Sequence, residues 1–538
     1  MMNLVFISAE VLLIALFIIL LYQYQKNETR LLHVLILISI LLISLTHIFA
    51  FNTDAEDTYI GLRYVKNLVE GNGFVFNSFD RVEGYSDFLW LLLIAGLHKV
   101  SSLEIPLAAR ALGLICSVIT LAYSYHLAYK LTGDKIHGYL VAFLIAINGS
   151  FSCYGLSGLE NPLFAFFILL FVDNLLAHRW YRVGIIIGLA AMTRPEGVVL
   201  SLPVGLYLLV YEATWKDRML NLCKSGLAAF ILFIPWTYWR YDYYGYLIPN
   251  TIAAKDGMDL WYQLKIGLKY SFRFLFDHLE WMLLIMLPSM MLMKELKQSK
   301  SLRSAWPPVF VCFTVALTFL VVYTYFGGDW MPGFRFYASI IPLIALLILL
   351  VWKTSKMPFN HIGLSLVIAL VGFGQLRNSA HSPYMIKAIR EWDHEVDGLK
   401  LIGKWFHDTL PPQTLLATFP NGAFSYYNEL PTIDAGGLTD NQVGRYGNKK
   451  KVGGVPGHIA ENWSYVLSKQ PAIIAVMGGR GFESEINIKP IEGYSNATFV
   501  FANYENPIGK YVNLYLRNDK RDALIGYLLK DDRVQLLK

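Results

Sequence analysis

Residues 54–70 read DAEDTYIGLRYVKNLVE, a stretch that sets the carboxylates of Asp54, Glu56 and Asp57 directly before an amphipathic segment. After Asp57 the apolar side chains recur at helical spacing and charged ones fill the opposite face, so we predict an interfacial helix. Gly71 is a natural end for this helix, because glycine readily adopts the conformation that terminates helices. One interpretation is that Asp57 only caps the helix, accepting backbone N–H bonds.

The other interpretation is that the acidic cluster takes part in catalysis. Three acids within four positions exceed what a helix cap requires. A carboxylate that is ionised at neutral pH and held at the water boundary can take the proton of an acceptor hydroxyl, which is the role of a general base.

The composition excludes an ordinary soluble protein. Of 538 residues, 55% are hydrophobic and 16% are charged, and the mean hydropathy is +0.43, so we predict an integral membrane protein. Long uncharged runs end near residue 377, which predicts a membrane domain over 1–377 and a second domain over 378–538. The net charge of +6 mostly reports loop charges, and we expect membrane lipids rather than nucleic acid as partners. The four cysteines lack paired spacing, so no zinc site is expected.

A membrane crossing needs roughly 17 to 25 apolar residues. The candidate spans are 4–22, 33–51, 107–129, 138–152, 161–178, 225–243, 275–293, 306–326, 334–352 and 360–377. Lys and Arg in the short loops between them indicate the cytoplasmic side. The loop 52–87 and everything after 378 are then extracytoplasmic.

Two further apolar segments do not fit full crossings. Segment 88–100 is short, and 183–211 is interrupted by TRPEG at 193–197, so both are typical of re-entrant or broken helices. Arg194 inside the break should face a cavity or pair with Glu196. A structural ion pair and a substrate contact are equal alternatives for it.

Basic residues on the predicted outer face run against the charge rule, which makes them candidates for binding an anionic group. They are Arg63, Arg81, Lys255 and Arg335. Arg335 follows a tight glycine-rich turn, and the alternative is that it anchors a helix end by snorkelling. Glu160 lies just before Asn161 and Pro162, which can begin a helix. Its carboxylate either interacts favourably with the dipole of that helix or takes part in catalysis.

The domain after residue 378 has a different pattern. It opens with an amphipathic stretch at 386–406 and continues with short strand-like runs at 414–418 and 472–477, separated by Gly- and Pro-rich turns. This pattern predicts a small mixed α/β domain.

Several motifs follow one another along the membrane part: EDTYI at 56–60, RVEGYS at 81–86, GLENPLF at 158–164, RPEG at 194–197, YYGYLIPNTIAAK at 243–255 and GGDWMPGFR at 327–335. Together they resemble the GT-C polytopic membrane glycosyltransferases, and most closely the group of the mycobacterial terminal arabinofuranosyltransferases. The tail resembles the family more loosely, through DAGGLTD at 434–440 and PGH at 456–458.

The resemblance implies a mainly α polytopic fold with about 10–12 transmembrane helices and an extracytoplasmic α/β domain, in a bacterial inner membrane. It implies that loop 52–87 is catalytic and transfers a sugar, with arabinofuranose the first candidate, from a polyprenyl-phosphate donor to a hydroxyl acceptor. The acceptor is a glycan, a lipid-linked molecule or a protein.

The resemblance implies that the base is Asp57, supported by Glu56, and the outer-face charges and the motifs supply the other expected residues. The expected catalytic residues are Asp57, Glu56 and Asp54, with Asp57 as the base; the donor phosphate is expected at Arg335, Arg63, Arg81, Arg194 and Lys255; the remaining substrate contacts are expected at Glu83, Glu160, Asp329, Trp330 and Asn250. A single base and a direct displacement predict inversion at the anomeric carbon. No cofactor is firmly predicted, and a divalent cation stays open because acids alone can hold one. A lipid-linked-sugar flippase and a non-catalytic lipid-binding relative are the alternatives.

Overall fold

The computed structural model describes residues 4–286, 306–355, 361–383, 385, 393–453, 459–476, 490–502 and 504–537. The chain forms two compact units. The helical unit comprises Met1–Thr53, Ala109–Trp236 and Leu264–Ile389; the mixed unit comprises Asp54–Ala108, Thr237–Gln263 and Arg390–Lys538. This division differs from the predicted boundary after residue 377, because the first loop and the segment 237–263 group with the C-terminal sequence.

The helical unit is built almost entirely of helices. Its helices, some of which continue into the sequence of the mixed unit, are Leu4–Lys26, Arg30–Phe51, Ile105–Thr132, Lys135–Ala146, Gly149–Cys153, Asn161–Leu176, Trp180–Thr193, Ser201–Tyr211, Trp215–Tyr244, Leu260–Asp277, Trp306–Tyr325, Arg335–Ala338, Ile341–Thr354 and His361–His381.

The described residues include five helices long and apolar enough to cross a membrane: Val5–Lys26, Arg30–Phe51, Ile105–Thr132, Trp215–Tyr244 and Pro307–Tyr325. Six shorter helices are also apolar. The predicted mainly α polytopic fold is therefore confirmed, and most predicted spans coincide with helices. The number of crossings stays a prediction, and the predicted span 275–293 runs beyond the described residues.

The break predicted within 183–211 is present. The helix Trp180–Thr193 ends at Arg194, and a 3₁₀ turn over Pro195–Leu200 leads into the helix Ser201–Tyr211. Arg194 is extended, with φ −148° and ψ 132°, because a residue that precedes proline avoids the helical region. A side chain at Gly197 would collide with the backbone of Ala190, so the turn folds tightly onto the helix before it.

The mixed unit combines helices with two sheets. Its strands are β1 (Leu416–Phe419), β2 (Thr432–Asp434), β3 (Asn448–Lys449), β4 (Ala460–Glu461), β5 (Ile473–Val476), β6 (Tyr494–Phe501), β7 (Tyr511–Arg517) and β8 (Val534–Leu537). The larger sheet has the order β2-β1-β5-β7-β6-β8, and β3 pairs with β4. β1 runs parallel to β2 and β5, whereas the remaining pairs are antiparallel.

The helices of this unit are Thr58–Val69, Phe88–Ser101, Asn250–Lys255, Asp393–Thr409, Ala423–Asn428, Asn441–Gly444, Trp463–Ser468, Pro507–Lys510 and Arg521–Leu528. β1 and β5 lie where strand-like runs were predicted, so the mixed α/β domain is confirmed. The first residues of the predicted amphipathic stretch, 386–392, and the PGH motif lie outside the described residues.

The helix Thr58–Val69 was predicted correctly in its limits but not in its environment. It begins after Asp57 and ends before Gly71. Its first eight residues are all buried, including Arg63, which the sequence placed on a solvent face. The helix Ala423–Asn428 packs against it, so a helix that is amphipathic in sequence is enclosed by another part of the chain.

Arg63 forms three hydrogen bonds to backbone carbonyls within this packed region. Its Nε donates to the carbonyl of Phe76 at 2.9 Å, and its Nη1 and Nη2 donate to the carbonyls of Ser425 at 2.6 Å and Leu430 at 2.8 Å. The guanidinium also lies 4.4 Å from the centroid of the Phe76 ring. Burial lowers the pKa of Arg63 to about 10. The side chain therefore joins the first loop to the C-terminal sequence within the mixed unit.

We predict that Arg63→Met destabilises the protein by about 3 kcal/mol, because three buried carbonyls lose a charged donor. Thermal unfolding of the purified protein in detergent measures the effect. The control is Arg81→Met, which removes an exposed arginine from the same loop and should leave the melting temperature nearly unchanged. Equal melting temperatures for the two variants would contradict the role of Arg63 as a buried junction.

Candidate active site

Glu56 is the buried member of the acidic cluster. Only 7% of the residue is exposed, and its Oε1 accepts backbone N–H bonds from Gly422 at 2.5 Å and Ala423 at 3.2 Å. A side chain at Gly422 would collide with Glu56. Burial raises the pKa of Glu56 well above its usual value, and the nearby carboxylates of Asp57 and Glu395 raise it further.

The other two acids are more open. Asp54 and Asp57 are both half-buried, and Asp54 accepts a 2.6 Å hydrogen bond from the hydroxyl of Tyr59. Asp57 occupies the N-cap position of the helix Thr58–Val69, but its side chain makes no capping hydrogen bond. The interpretation that Asp57 caps the helix through its side chain is therefore wrong.

We predict that Glu56→Gln changes how stability depends on pH. Because the pKa of Glu56 is raised in the folded state, the folded protein binds more protons than the unfolded chain above the ordinary glutamate pKa, and stability falls as pH rises through that range. The glutamine oxygen can accept the same two N–H bonds but does not ionise.

The melting temperature of Glu56→Gln should consequently match or exceed that of the wild type near neutral pH, and this advantage should shrink as the pH approaches about 4.5. Glu429→Gln, at an exposed site in the same unit, is the control. A melting temperature of Glu56→Gln that stays below the wild-type value over the whole pH range would contradict a buried, costly carboxylate.

Glu83, predicted to bind substrate, lies in a buried ion pair. Its Oε1 and Oε2 accept hydrogen bonds from Nε and Nη2 of Arg240 at 2.6 and 2.8 Å, and both side chains are at most 5% exposed. Burial raises the pKa of Glu83, and Arg240 opposes that rise. This environment is that of an internal support for the loop.

Asn250 also supports the loop through hydrogen bonds. Its backbone N–H donates to the carbonyl of Glu83 at 3.0 Å. Its Nδ2 donates to the carbonyls of Gly437 at 2.7 Å and Leu438 at 2.9 Å, which belong to the DAGGLTD motif. Asn250 thus ties the motifs at 81–86, 243–255 and 434–440 together within the mixed unit.

We predict that Glu83→Gln lowers the unfolding free energy by about 3 kcal/mol, because it leaves the charge of Arg240 buried without its partner. The double variant Glu83→Leu/Arg240→Met should recover most of the loss, since it removes both charges. Thermal unfolding of the single, double and wild-type proteins tests this, with Glu70→Gln as the exposed control. A double variant less stable than Glu83→Gln would contradict the interpretation.

The two remaining basic candidates of this unit are at its surface. Arg81 is exposed, and its guanidinium lies 4.5 Å from the centroid of the Tyr243 ring. Lys255 is exposed at the last residue of the helix Asn250–Lys255. Neither is as enclosed as Arg63.

In the helical unit, Arg194 is paired with both Glu160 and Glu196. Arg194 Nη1 lies 2.6 Å from Glu160 Oε1, and its Nε lies 2.6 Å from Glu196 Oε1. The three side chains are at most 13% exposed. The ion-pair alternative for Arg194 is thus present, and its partner on the GLENPLF motif was not expected from the sequence.

A second ion pair lies close by in the same unit. Arg335 Nε lies 2.5 Å from Asp329 Oδ2, and its Nη2 lies 3.1 Å from Asp329 Oδ1. The guanidinium groups of Arg335 and Arg194 lie 5.6 Å and 5.4 Å, respectively, from the centroid of the Phe336 ring. Asn161 Nδ2 donates to the Arg335 carbonyl at 2.8 Å. Five charged side chains thus converge around Phe336, while Trp330 lies half-buried in the same glycine-rich turn.

The predicted residues therefore fall into two groups. Asp54, Glu56, Asp57, Arg63, Arg81, Glu83, Asn250 and Lys255 belong to the mixed unit, and Glu160, Arg194, Asp329, Trp330 and Arg335 belong to the helical unit. The convergence of Asp57 with Arg335 stays a prediction. Within the described part of the chain, no group of three or more His, Cys, Asp or Glu side chains is arranged to hold a metal ion.

Comparison with known proteins shows which proteins the chain is similar to. Residues 88–239 match the family described as dolichyl-phosphate-mannose-protein mannosyltransferase, and residues 387–519 match a domain of unknown function. The chain is 27% identical over 331 residues to the terminal β-(1→2)-arabinofuranosyltransferase of Mycobacterium tuberculosis and 26% identical over 367 residues to that of Corynebacterium glutamicum. These matches cover 54% and 59% of this chain, which spans about half the length of either relative.

The fold comparison agrees. ArnT from Cupriavidus metallidurans superposes with a TM-score of 0.53 in the apo state and 0.55 bound to undecaprenyl phosphate, at 11% identity, over 89% of this chain and 97% of that one. In fold the chain resembles a GT-C membrane protein, and in sequence it resembles the terminal arabinofuranosyltransferases. The predicted resemblance is thereby confirmed.

Two supports of the candidate site were not predicted from the sequence. Arg240, which pairs with Glu83, lies within the aromatic run WTYWRYDYYGY at 236–246, and Gly422 lies in a loop without a motif. A lone arginine within an apolar segment is a usable signal, because such a charge needs a buried partner. Nothing in the sequence around Gly422 indicates that its N–H meets Glu56.

Proposed function

We propose that this protein is a membrane glycosyltransferase of the cell envelope. It moves a sugar, with arabinofuranose as the first candidate, from a polyprenyl-phosphate donor to a hydroxyl acceptor at the extracytoplasmic face of a bacterial inner membrane. The similarity to named arabinofuranosyltransferases and the carboxylate at the head of the helix Thr58–Val69 support this function.

The proposed reaction is one displacement. Asp57 takes the proton of the acceptor hydroxyl as its oxygen attacks the anomeric carbon. The bond between that carbon and the phosphate oxygen breaks, and the electron pair leaves with polyprenyl phosphate. Because no covalent intermediate with the protein forms, the configuration at the anomeric carbon inverts. A phosphate is already a good leaving group, so no general acid is required.

The choice of Asp57 as the base follows the resemblance, in which the acidic pair before the first helix of the loop supplies the base. Asp57 is half-buried and stands at a helix N-terminus, where the helix dipole favours a carboxylate. Its neighbour Glu56 accepts backbone N–H bonds from residues 422 and 423. Glu56 then fixes the position of Asp57 by anchoring the residue before it.

The phosphate is assigned to the helical unit. Arg335 and Arg194 carry the two positive charges around Phe336, and cations held in place stabilise a developing phosphate charge. The pair with Asp329 uses the Nε–Nη2 edge of Arg335 and fixes the orientation of the guanidinium. We reassign Arg63 from phosphate binding to structural support, since backbone carbonyls surround its guanidinium.

We predict that Asp57→Asn lowers kcat by about 100-fold or more, with a smaller change in KM, because the isosteric amide cannot accept the proton. The assay follows sugar transfer from a synthetic polyprenyl-phosphoryl arabinofuranose to a glycan acceptor by the purified protein, with product configuration determined by NMR. Asp256→Asn, an exposed acid of the mixed unit, is the control. Full activity of Asp57→Asn, or product with retained configuration, would contradict the mechanism.

A further inference from the structure

The carboxyl ends of two parallel strands lie next to the acidic cluster. β1 ends at Phe419 and β2 ends at Asp434. The chain that follows β1 supplies the N–H groups of Gly422 and Ala423, which bind Glu56. Functional groups of α/β sheets commonly lie beyond the carboxyl ends of parallel strands. This edge of the larger sheet therefore contacts the acidic cluster.

A buried chain of hydrogen bonds joins the loop after β2 to the loop after β1. The carboxylate of Asp434 accepts the backbone N–H groups of Gly436 and Thr439, both at 2.8 Å. Thr439 Oγ1 donates to Asp434 Oδ2 at 3.2 Å and accepts from Asn421 Nδ2 at 2.7 Å. Asp434, Thr439 and Asn421 are each at most 3% exposed. These three side chains are here called the Thr439 link.

The amide of Asn421 is held at both of its ends. Its Nδ2 is bonded to Thr439, and its Oδ1 accepts the hydroxyl of Ser425 at 2.5 Å. The two N–H groups that bind Glu56 lie between Asn421 and Ser425 in the chain. The Thr439 link therefore fixes the backbone that holds Glu56, and Glu56 directly precedes Asp57.

The side chain of Thr439 makes two contacts of different kinds. Its hydroxyl belongs to the Thr439 link, whereas its methyl group packs against the first loop, because a side chain added at Gly84 would lie 2.5 Å from Thr439 Cγ2. Valine keeps the methyl group and removes the hydroxyl. Serine keeps the hydroxyl and removes the methyl group. The two substitutions therefore separate the hydrogen bonds of Thr439 from its packing.

We infer that Thr439 is a positioning residue of the transfer reaction, which acts through Asn421 and Glu56 to set the position of Asp57. The inference rests on the proposed function, because Asp57 is the base of that reaction. A displacement of about 1 Å in a reacting group can cost about 100-fold in rate. The C-terminal sequence then contributes to catalysis through the backbone that binds the acidic cluster.

The test compares Thr439→Val with Thr439→Ser in the transfer assay used for Asp57. We expect Thr439→Val to lower kcat about tenfold or more with KM nearly unchanged, because the base is displaced while the binding groups are intact. Thr439→Ser should keep most of the wild-type kcat. The matched control is Thr498→Val, which removes a hydroxyl bonded to Asn513 at an exposed site of the mixed unit and should leave kcat unchanged.

A larger loss of kcat in Thr439→Ser than in Thr439→Val would overturn the inference, because packing against Gly84 would then be what matters. A second measurement adds Thr439→Val to the Glu56→Ala protein. If Thr439 acts through Glu56, this addition causes no further loss of kcat. An additional loss as large as that in the wild-type background would also overturn the inference.

Melting temperatures of the same four proteins report on the Thr439 link without turnover. Thr439→Val should lower the melting temperature less in the Glu56→Ala protein than in the wild type, because part of its effect is transmitted to Glu56. A wild-type protein that transfers no sugar contradicts the proposed function, and coupled melting temperatures in that case still support the connection from Thr439 to Glu56. An active wild type with an equally active Thr439→Val protein contradicts the inference and not the proposed function.

Discussion

The mixed unit depends on hydrogen bonds between buried ionisable side chains of its first loop and backbone groups that are distant in sequence. Glu56 meets the N–H groups of Gly422 and Ala423, and Arg63 meets the carbonyls of Ser425 and Leu430. An unpaired buried charge costs several kcal/mol, so the loop and the C-terminal sequence are stable in this form only together. The helix that starts after Asp57 is consequently held at both faces, and the carboxylate at its head has a fixed position.

This dependence explains why the acidic cluster contains three acids with different surroundings. Glu56 is used for attachment and carries a raised pKa because it is buried, whereas Asp54 is engaged by Tyr59 and Asp57 is half-buried without capping the helix. In the helical unit, two arginines are paired with three acids around Phe336. In the proposed reaction, Asp57 removes the proton, and Arg194 and Arg335 stabilise the charge of the leaving phosphate.

Much of the fold could be predicted from the sequence, because hydropathy, proline and glycine act locally. The broken helix at Arg194, the helix Thr58–Val69 and the mixed α/β character of the C-terminal sequence all follow from such patterns. The unit boundary and the role of Arg63 could not, because both depend on contacts between residues more than 300 positions apart. The buried contacts of the motif residues Glu83 and Asn250 with Arg240 and Gly437 are also distant in sequence and could not be predicted.

In the proposed function, Asp57 serves as the base of a glycosyl transfer to the cell envelope. The most direct measurement compares, by mass spectrometry, the surface glycans of cells that make the wild-type protein with those of cells that make Asp57→Asn at equal levels. We expect one sugar residue to be missing from a surface glycan in the Asp57→Asn cells and the shorter acceptor to accumulate. Identical glycans in the two strains, with the loss appearing only when the whole protein is removed, would contradict it.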